Sequence, residues 1–514
     1  MNSFKPMLLT SLKSYDRAQF AKDVTAGIIV AIIALPLSIA LALASGVGPE
    51  AGIFTAIVAG FVISALGGSC VQIAGPTAAF ATIVAGIVAR DGLEGLMTAT
   101  ILAGVFLIIM GFCHFGSLIK FIPYTITTGF TSGIAVTIVI GQLKDFCGIT
   151  YPDGVKPIET MEKLKAFAEN FSTISPDALI VGGVSLAILI VSPLIFKKIP
   201  GSLIAVIAGI LMVQFLPLHV STIGNLYTIS NALPTLHLPV FDMKLIQSAI
   251  PNAFTIAVLA AIESLLSCVV ADGMINSKHR SDTELIAQGA GNIASALFGG
   301  IPATGAIART AANIKNGGRT PVAGMVHSIT LVIVLVVLMP FAGMIPMPTI
   351  AAILFLVAYN MCQWRTFVHL VRTAPKSDII VLFTTFVLTV VFDLVVAIEI
   401  GMVLACLLFI KRMSEETHAD SWVYVDDDSP AVDEHLQKLP LEIRVYEITG
   451  PLFFGAADAI EHIVVKDFTK CLVLRMRSVP TIDSTAMNAL QNLTKLCESK
   501  GITLVFSHVN EQPM

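Results

Sequence analysis

Two ionisable side chains stand deep inside long apolar runs, and their chemistry sets the problem. Glu263 lies within Val258-Leu-Ala-Ala-Ile-Glu-Ser-Leu-Leu and Arg309 within Gly305-Ala-Ile-Ala-Arg-Thr. Burying a charge in hydrocarbon costs on the order of a few kcal/mol at least, so each marks a functional position by default. A carboxyl stripped of water favours its protonated form, which makes Glu263 a candidate for proton uptake near neutral pH and for coupling to a proton gradient. The plainer use is a structural carboxylate held by a neighbouring cation or polar group. Ser264 and Ser267, one residue and about one helical turn further on, suit either use. Arg309 has two open readings: it strengthens a field that attracts an anion, or it braces the fold through backbone carbonyls. Asp393 and Glu399 fall near span ends and read as solvated or interfacial charge.

The segments around Arg309 repeat an earlier part of the chain. Ile63-Ser64-Ala65-Leu66-Gly67-Gly68, followed by Gly75-Pro76-Thr77-Ala78-Ala79, matches Ala294-Ser295-Ala296-Leu297-Phe298-Gly299-Gly300, followed by Gly305 to Ala312. In each copy a buried Gly-Gly precedes a few residues that read as extended, 71–74 or 301–304, and then a helix too short to cross a bilayer. Helix N-termini expose unpaired N–H groups and about half a positive charge each, so two of them meeting at mid-membrane form an anion site without a buried cation. Pro76 suits the first position of such a helix. The blander reading is a pair of re-entrant kinks that let helices pack closely. Pro36 inside the first span is expected to kink it and set Leu35, Leu37 and Ser38 beside the short helices.

Lipid is the solvent that must position these residues. The chain has 514 residues, 55% of them hydrophobic and 13% charged, with a mean hydropathy of +0.85. With 31 basic and 35 acidic residues and no aromatic-interleaved basic stretch, nucleic acid is excluded as a partner. The eight cysteines are scattered singly, with no paired Cys motif and no His cluster, so neither a metal nor a cofactor is expected. About fourteen apolar stretches follow one another, near 24–44, 51–67, 76–89, 93–113, 121–142, 177–195, 201–217, 248–271, 283–298, 305–315, 321–340, 348–362, 378–394 and 396–411. Lys and Arg cluster after even-numbered spans: Lys120, Lys197 and Lys198, Lys278 and Arg280, Lys315 and Arg319, Arg365, Arg372 and Lys376, then Lys411 and Arg412. Those loops are expected in the cytoplasm, with both termini. Exits from odd-numbered spans are mostly bare, although 143–171 mixes Lys156, Lys163 and Lys165 with acids. Seven spans per half, an odd number, invert the second copy relative to the first. After Arg412 an acidic stretch with Asp426, Asp427 and Asp428 reads as a linker. Strands at 443–448, 471–476 and 503–506, with a helix over 486–497, then make a small α/β domain.

Five motifs in order carry a resemblance over nearly the whole chain: Gly75-Pro-Thr-Ala-Ala, the run Ile262-Glu-Ser-Leu-Leu-Ser-Cys-Val-Val-Ala-Asp-Gly, Glu284-Leu-Ile-Ala-Gln-Gly-Ala-Gly-Asn, the Gly305-Ala-Ile-Ala-Arg-Thr-Ala-Ala-Asn helix and Asp483-Ser-Thr. The chain resembles the SulP sulfate permease family, and within it looks most similar to bacterial proton-coupled C4-dicarboxylate carriers. The resemblance implies an all-α polytopic membrane protein of about 14 spans. These would form a 7+7 inverted repeat, with core and gate domains, elevator movement, a homodimer and a cytoplasmic α/β STAS domain. It divides the chain into a cytoplasmic N-terminus (1–23), a transporter domain (24–412), a linker (413–440) and STAS (441–514), which stops where at least one more helix would be expected and so reads as truncated. The family's anion site falls on Leu37, Leu41, Thr77, Ala78, Ile307, Ala308 and Arg309. Where the family often has Gln and Ser, this chain has Leu37 and Ala308, so backbone N–H groups would do more of the binding. Glu263 and Ser267 would serve proton coupling; a sodium-coupled bicarbonate branch carries Asp at the Glu263 position, so Glu favours protons over sodium. Ser484 sits in a loop similar to one phosphorylated in anti-sigma antagonists, although a helix N-cap explains the same residues. The implied function is not enzymatic. It is secondary transport of a small anion (C4-dicarboxylate, sulfate or bicarbonate) across a bacterial inner membrane. The rivals are uncoupled exchange, an anion channel, or a scaffold whose STAS segment docks a cytoplasmic protein.

Overall fold

The computed structural model describes residues 4–117, 123–152, 157–195, 200–239, 242–392, 394–421, 440, 442–461, 463 and 468–513. Lys120, Lys156, Lys197, Lys198, Asp393 and the run Asp426 to Asp428, all used above, lie outside the described residues. The chain divides into two units, Met1–Gly401 and Met402–Met514.

Backbone N–H and C=O groups find no water in hydrocarbon, so an apolar chain of this kind must satisfy them within helices. The first unit opens with α1 (Met7–Ser11), α2 (Arg17–Ala44) and α3 (Pro49–Leu66), followed by the two-residue strand β1 (Ala74–Gly75). Next come α4 (Ala78–Phe112), α5 (Tyr124–Cys147), α6 (Thr160–Glu169), α7 (Pro176–Ile195), α8 (Gly201–Phe215) and α9 (Ile223–Leu226). The second half holds α10 (Met243–Ile275), α11 (Ser281–Leu297), β2 (Thr304–Gly305), α12 (Ile307–Lys315), α13 (Val322–Ala342), α14 (Met347–Cys362), α15 (Trp364–Thr373), α16 (Lys376–Val391) and α17 (Leu394–Glu415).

Gly92, at φ 70°, breaks α4 into 78–91 and 93–112. With that break, each expected span has a helical counterpart: α2, α3, the two parts of α4, α5, α7 and α8, then α10 to α14, α16 and α17. Eight helical stretches among the described residues are long and apolar enough to cross a bilayer, counting α4 whole and α14 together with α15 as Met347–Thr373. The nine residues of α12, rising about 1.5 Å each, cover less than half of a roughly 30 Å core. Four short helices lie outside this scheme, α1, α6, α9 and the amphipathic α15, and no residue of α15 is buried.

The spans pack as two groups. In one, α4 lies on α10 and α11, α2 and α3 lie on α13, and α12 lies on α10 and α2; in the other, α5 lies on α14 and α16, and α7 on α14 and α8. Glycine sets the closest approach in the first group. A Cβ on Gly104 would stand 2.6 Å from the Gly289 carbonyl oxygen and 2.6 Å from Ile293. Lipid supplies no hydrophobic drive between helices, so this contact depends on small residues. Gly104→Leu is expected to destabilise the α4–α11 crossing by at least about 1 to 3 kcal/mol. It should cut the monodisperse yield in size-exclusion chromatography, whereas Gly183→Leu, with open space around its Cβ, should leave the yield unchanged.

The second unit contains a four-stranded sheet in the order β3 (His418–Ser421), β4 (Ile443–Thr449), β5 (Cys471–Ser478), β6 (Thr503–Ser507). β3 runs antiparallel to β4, and the β4–β5 and β5–β6 pairs are parallel. The short helix α18 (Asp458–Glu461) and the longer α19 (Ser484–Ser499) accompany the sheet. Ile448, Leu472, Leu474, Leu490 and Leu493 form its core. β4, β5, β6 and α19 correspond to the expected strands and helix. β3 and the end of α17 lie within 413–440, the stretch expected to be a linker, and β3 is paired to β4.

Candidate functional site

The two broken spans meet. β1 and β2 pair antiparallel, Ala74 opposite Gly305 and Gly75 opposite Thr304, and the Ala306 N–H donates to the Ile73 carbonyl at 2.9 Å. Antiparallel pairing is what two copies of one motif entering from opposite sides produce. Glycine lets side chains from the opposite half in close at the crossing: a Cβ on Gly75 would overlap the Arg309 guanidinium, and one on Gly305 the Gln72 amide, so either long side chain would have to move to admit it. Immediately past the crossing, α4 starts at Ala78 with Thr77 as N-cap and α12 starts at Ile307 with Ala306 as N-cap, neither with a side-chain cap bond. Pro76 therefore sits one residue before the N-cap, not at the first helical position expected for it. Its ring disfavours helical backbone at Gly75, which suits the strand there.

The side chains around the crossing divide into braces and an opening. Arg309 is 3% exposed; one terminal nitrogen donates to the Pro76 carbonyl and the other, Nη1, has no hydrogen-bond partner among the described residues. On α10, the Glu263 carboxylate accepts from the Thr77 hydroxyl at 2.9 Å. Ser264 meets the Thr304 hydroxyl at 2.6 Å and accepts from the Gly305 N–H at 3.1 Å. Ser267 donates to Thr310 Oγ1 at 3.4 Å, and the same oxygen accepts from the Ile73 N–H at 3.0 Å. Of the residues expected at an anion site, Ile307 and Ala308 are exposed, Thr77 and Leu37 are half-buried, and Leu41 and Ala78 are buried. Gln72, whose Oε1 contacts the Cys268 thiol, was not among those expectations. The signal for it was a lone amide between Val71 and Ile73.

A cavity of about 420 Å³ opens between the two groups of spans. Thr82, Gly86 and Arg90 of α4, Thr137 of α5, Asn252 and Thr255 of α10 and Thr389 of α16 line it. Thr82 lies about one turn past Ala78, and none of the anticipated anion-site residues lines the cavity. Among the described residues no group of three or more His, Cys, Asp or Glu could hold a metal. In the second unit, Ser484 is exposed at the start of α19 and Asp483 caps that helix through the Ala486 N–H.

Apolar helices long enough to cross a bilayer among the described residues, with α4 and α12 starting from one strand crossing, define a multi-pass membrane transporter. Residues 20–385 match the sulfate permease family and 437–514 the STAS domain. The chain is 38% identical over 506 residues to the putative sulfate transporter YvdB of Bacillus subtilis (strain 168), covering 98% of this chain and 94% of that one. It is 34% identical to the bicarbonate transporter BicA of Picosynechococcus sp. (strain ATCC 27264 / PCC 7002 / PR-6), covering 91% and 85%. The solved transmembrane domain of a cyanobacterial BicA superposes with a TM-score of 0.66 at 30% identity, over 76% of this chain and 98% of that one. Murine Solute Carrier 26 family member A9, an anion transporter in the inward-facing state, shares the fold at a TM-score of 0.87 and 18% identity, over 98% and 88%. The chain belongs to the sulfate permease family of anion transporters and carries a C-terminal STAS domain. These relatives are named for sulfate and bicarbonate, not for C4-dicarboxylates.

Proposed function

We propose that this chain is a proton-coupled secondary transporter of a small oxyanion, bound where α4 and α12 begin. The observation that carries the reading is the β1–β2 crossing, which sets the two helix N-termini side by side. The partial charges there, about half a unit each, attract an anion, and Thr77, Ala78, Ile307, Ala308, Leu37 and Leu41 form its surroundings, with Arg309 adding a full positive charge. Glu263 is the coupling group. As a carboxylate it accepts from Thr77 and places a negative charge at the N-terminus of α4, competing with the anion for the same field. Protonation removes that competition, so proton and anion favour each other's binding, and the coupling is reciprocal. The group formed by α2 to α4 and α10 to α13 acts as the moving core against α5, α7, α14 and α16, in an elevator movement of a homodimer in the bacterial inner membrane, with both termini in the cytoplasm.

Sulfate and bicarbonate are the leading substrates, given the names of the relatives. C4-dicarboxylates remain the third class. Counterflow in proteoliposomes, with unlabelled sulfate, bicarbonate, oxalate, succinate or fumarate inside and one labelled anion outside, is the deciding experiment. Transient accumulation of label above equilibrium is expected with at least one of these anions. A channel gives large electrogenic flux and no such overshoot. Replacing the proton gradient by a sodium gradient separates the two couplings.

A further inference from the structure

We infer that α11 carries a set of positioning residues, centred on Asn292, that fixes where both half-helices begin and thereby sets anion affinity. The inference rests on the anion site proposed above. Glu284, Gln288 and Asn292 follow one another at four-residue spacing, so they share one face of α11, and all three are fully buried. At one end, Glu284 Oε2 accepts from the Gly68 and Ser69 N–H groups at 2.8 and 3.2 Å, where the chain turns into the first broken span. Its other oxygen accepts from the Gln288 amide at 2.9 Å. At the other end, Asn292 grips a single residue of the second broken span from both sides. Its Oδ1 accepts from the Ala303 N–H at 2.8 Å, and its Nδ2 donates to the Ala303 carbonyl at 2.9 Å. Ala303 immediately precedes β2.

One helix face therefore holds both approaches to the crossing. The physical need is clear, because the extended residues of each broken span have no helix to satisfy them and little water to do so. A side-chain amide mimics the missing backbone partner, one acceptor and one donor together. The consequence is functional. Helix N-termini act on an anion only over the first turn, so a small shift of Ala303 carries Ile307 and Ala308 out of register with Thr77 and Ala78. Asn292 touches no anion in this arrangement and acts through Ala303.

The test uses the full chain in lipid nanodiscs and proteoliposomes. Asn292→Ala is expected to raise the apparent KM about tenfold, equivalent to about 1.4 kcal/mol, for whichever of labelled sulfate, bicarbonate and succinate the parent carries. Vmax per folded carrier should stay within about twofold, because only the ground-state geometry of the anion site is loosened. Amide exchange at 301–306 is expected to speed up, and with it exchange at 73–76, because those strands are paired. Asn292→Asp turns an oxygen toward the Gln288 and Ala303 carbonyls to which the amide nitrogen donates, and should raise the KM at least as far as Asn292→Ala. Gln288→Met, an apolar change that frees Glu284, provides the second variant should the alanine protein fail to fold; faster exchange at 68–71 is expected there. An unchanged KM with lost Vmax, or unchanged exchange at 73–76, overturns the positioning role. If the parent carries none of the three anions, the proposed function fails while the exchange measurement still decides on the positioning role of Asn292.

Discussion

Glu263→Gln is expected to abolish accumulation driven by a proton gradient and to leave anion counterflow within about twofold of the parent. Glutamine matches the shape of the carboxyl, and its carbonyl oxygen still accepts the Thr77 hydroxyl, but it cannot exchange a proton. A gradient of two pH units stores about 2.7 kcal/mol per proton carried, at about 1.36 kcal/mol per unit, enough for roughly 100-fold accumulation in the parent. Without a titrating group the variant should reach only the ratio set by diffusion. Its uncharged side chain removes the negative charge at the start of α4, so anion binding itself should be equal or tighter. Proteoliposomes loaded at one pH and diluted into another make the measurement. Gradient-driven accumulation at the parental level would remove Glu263 from the coupling mechanism.

Arg309→Met has the second large effect, on affinity. The guanidinium does two things at once: it donates to the Pro76 carbonyl, tying the start of α4 to α12, and it brings a full charge to a place where the helices supply halves. For an anion roughly 7 Å away at an effective dielectric of about 20, the lost attraction is about 2.4 kcal/mol, or roughly 50-fold in KM. Methionine leaves the Pro76 carbonyl without this donor, which adds to the loss. Arg309→Lys keeps the charge without the planar fork and should recover most of the affinity, within about fivefold of the parent. If Met and Lys variants lose affinity equally, the brace dominates and the field contributes little; if Arg309→Met keeps the parental KM, the residue has no part in anion binding.

Much of this site was legible in the residues because lipid allows so few solutions. A Gly-Gly pair followed by a helix of about half the needed length reads as a broken span, and seven spans per half, an odd number, is what set the second copy upside down in that reading. Glu263 and Arg309 stood out because each interrupts a long apolar run, whereas Glu284, just as buried, opens its helix and was visible only inside a motif. What stayed hidden was the partner of each break. β1 and β2 pair through backbone atoms, which leave no mark on residue type, and the positions that show the pairing are glycines whose meaning depends on Arg309 and Gln72 lying opposite. The two uses of Arg309 could not be ranked for the same reason: the carbonyl it holds belongs to Pro76, in the other half. Asn292 was visible inside a motif but silent about Ala303. α15 was read as a loop although Phe367, Leu370 and Val371 recur at helical spacing against Arg365, His369 and Arg372. Its high polarity masked a helix suited to the membrane surface. β3, four residues with a charge and little alternation, carried no strand signal at all.

The crossing also imposes an order on biosynthesis. When Pro76 leaves the ribosome, the guanidinium that will hold its carbonyl is still 233 residues from being made, and Ala74 and Gly75 have no strand to pair with. Until then the nascent N-terminal half carries unpaired peptide groups that hydrocarbon does not tolerate, and it must wait in a wetter or more sheltered setting. The duplication therefore yields two incomplete halves. Neither can close its own break, and the proposed anion site comes into being only when the second half threads in and completes the first.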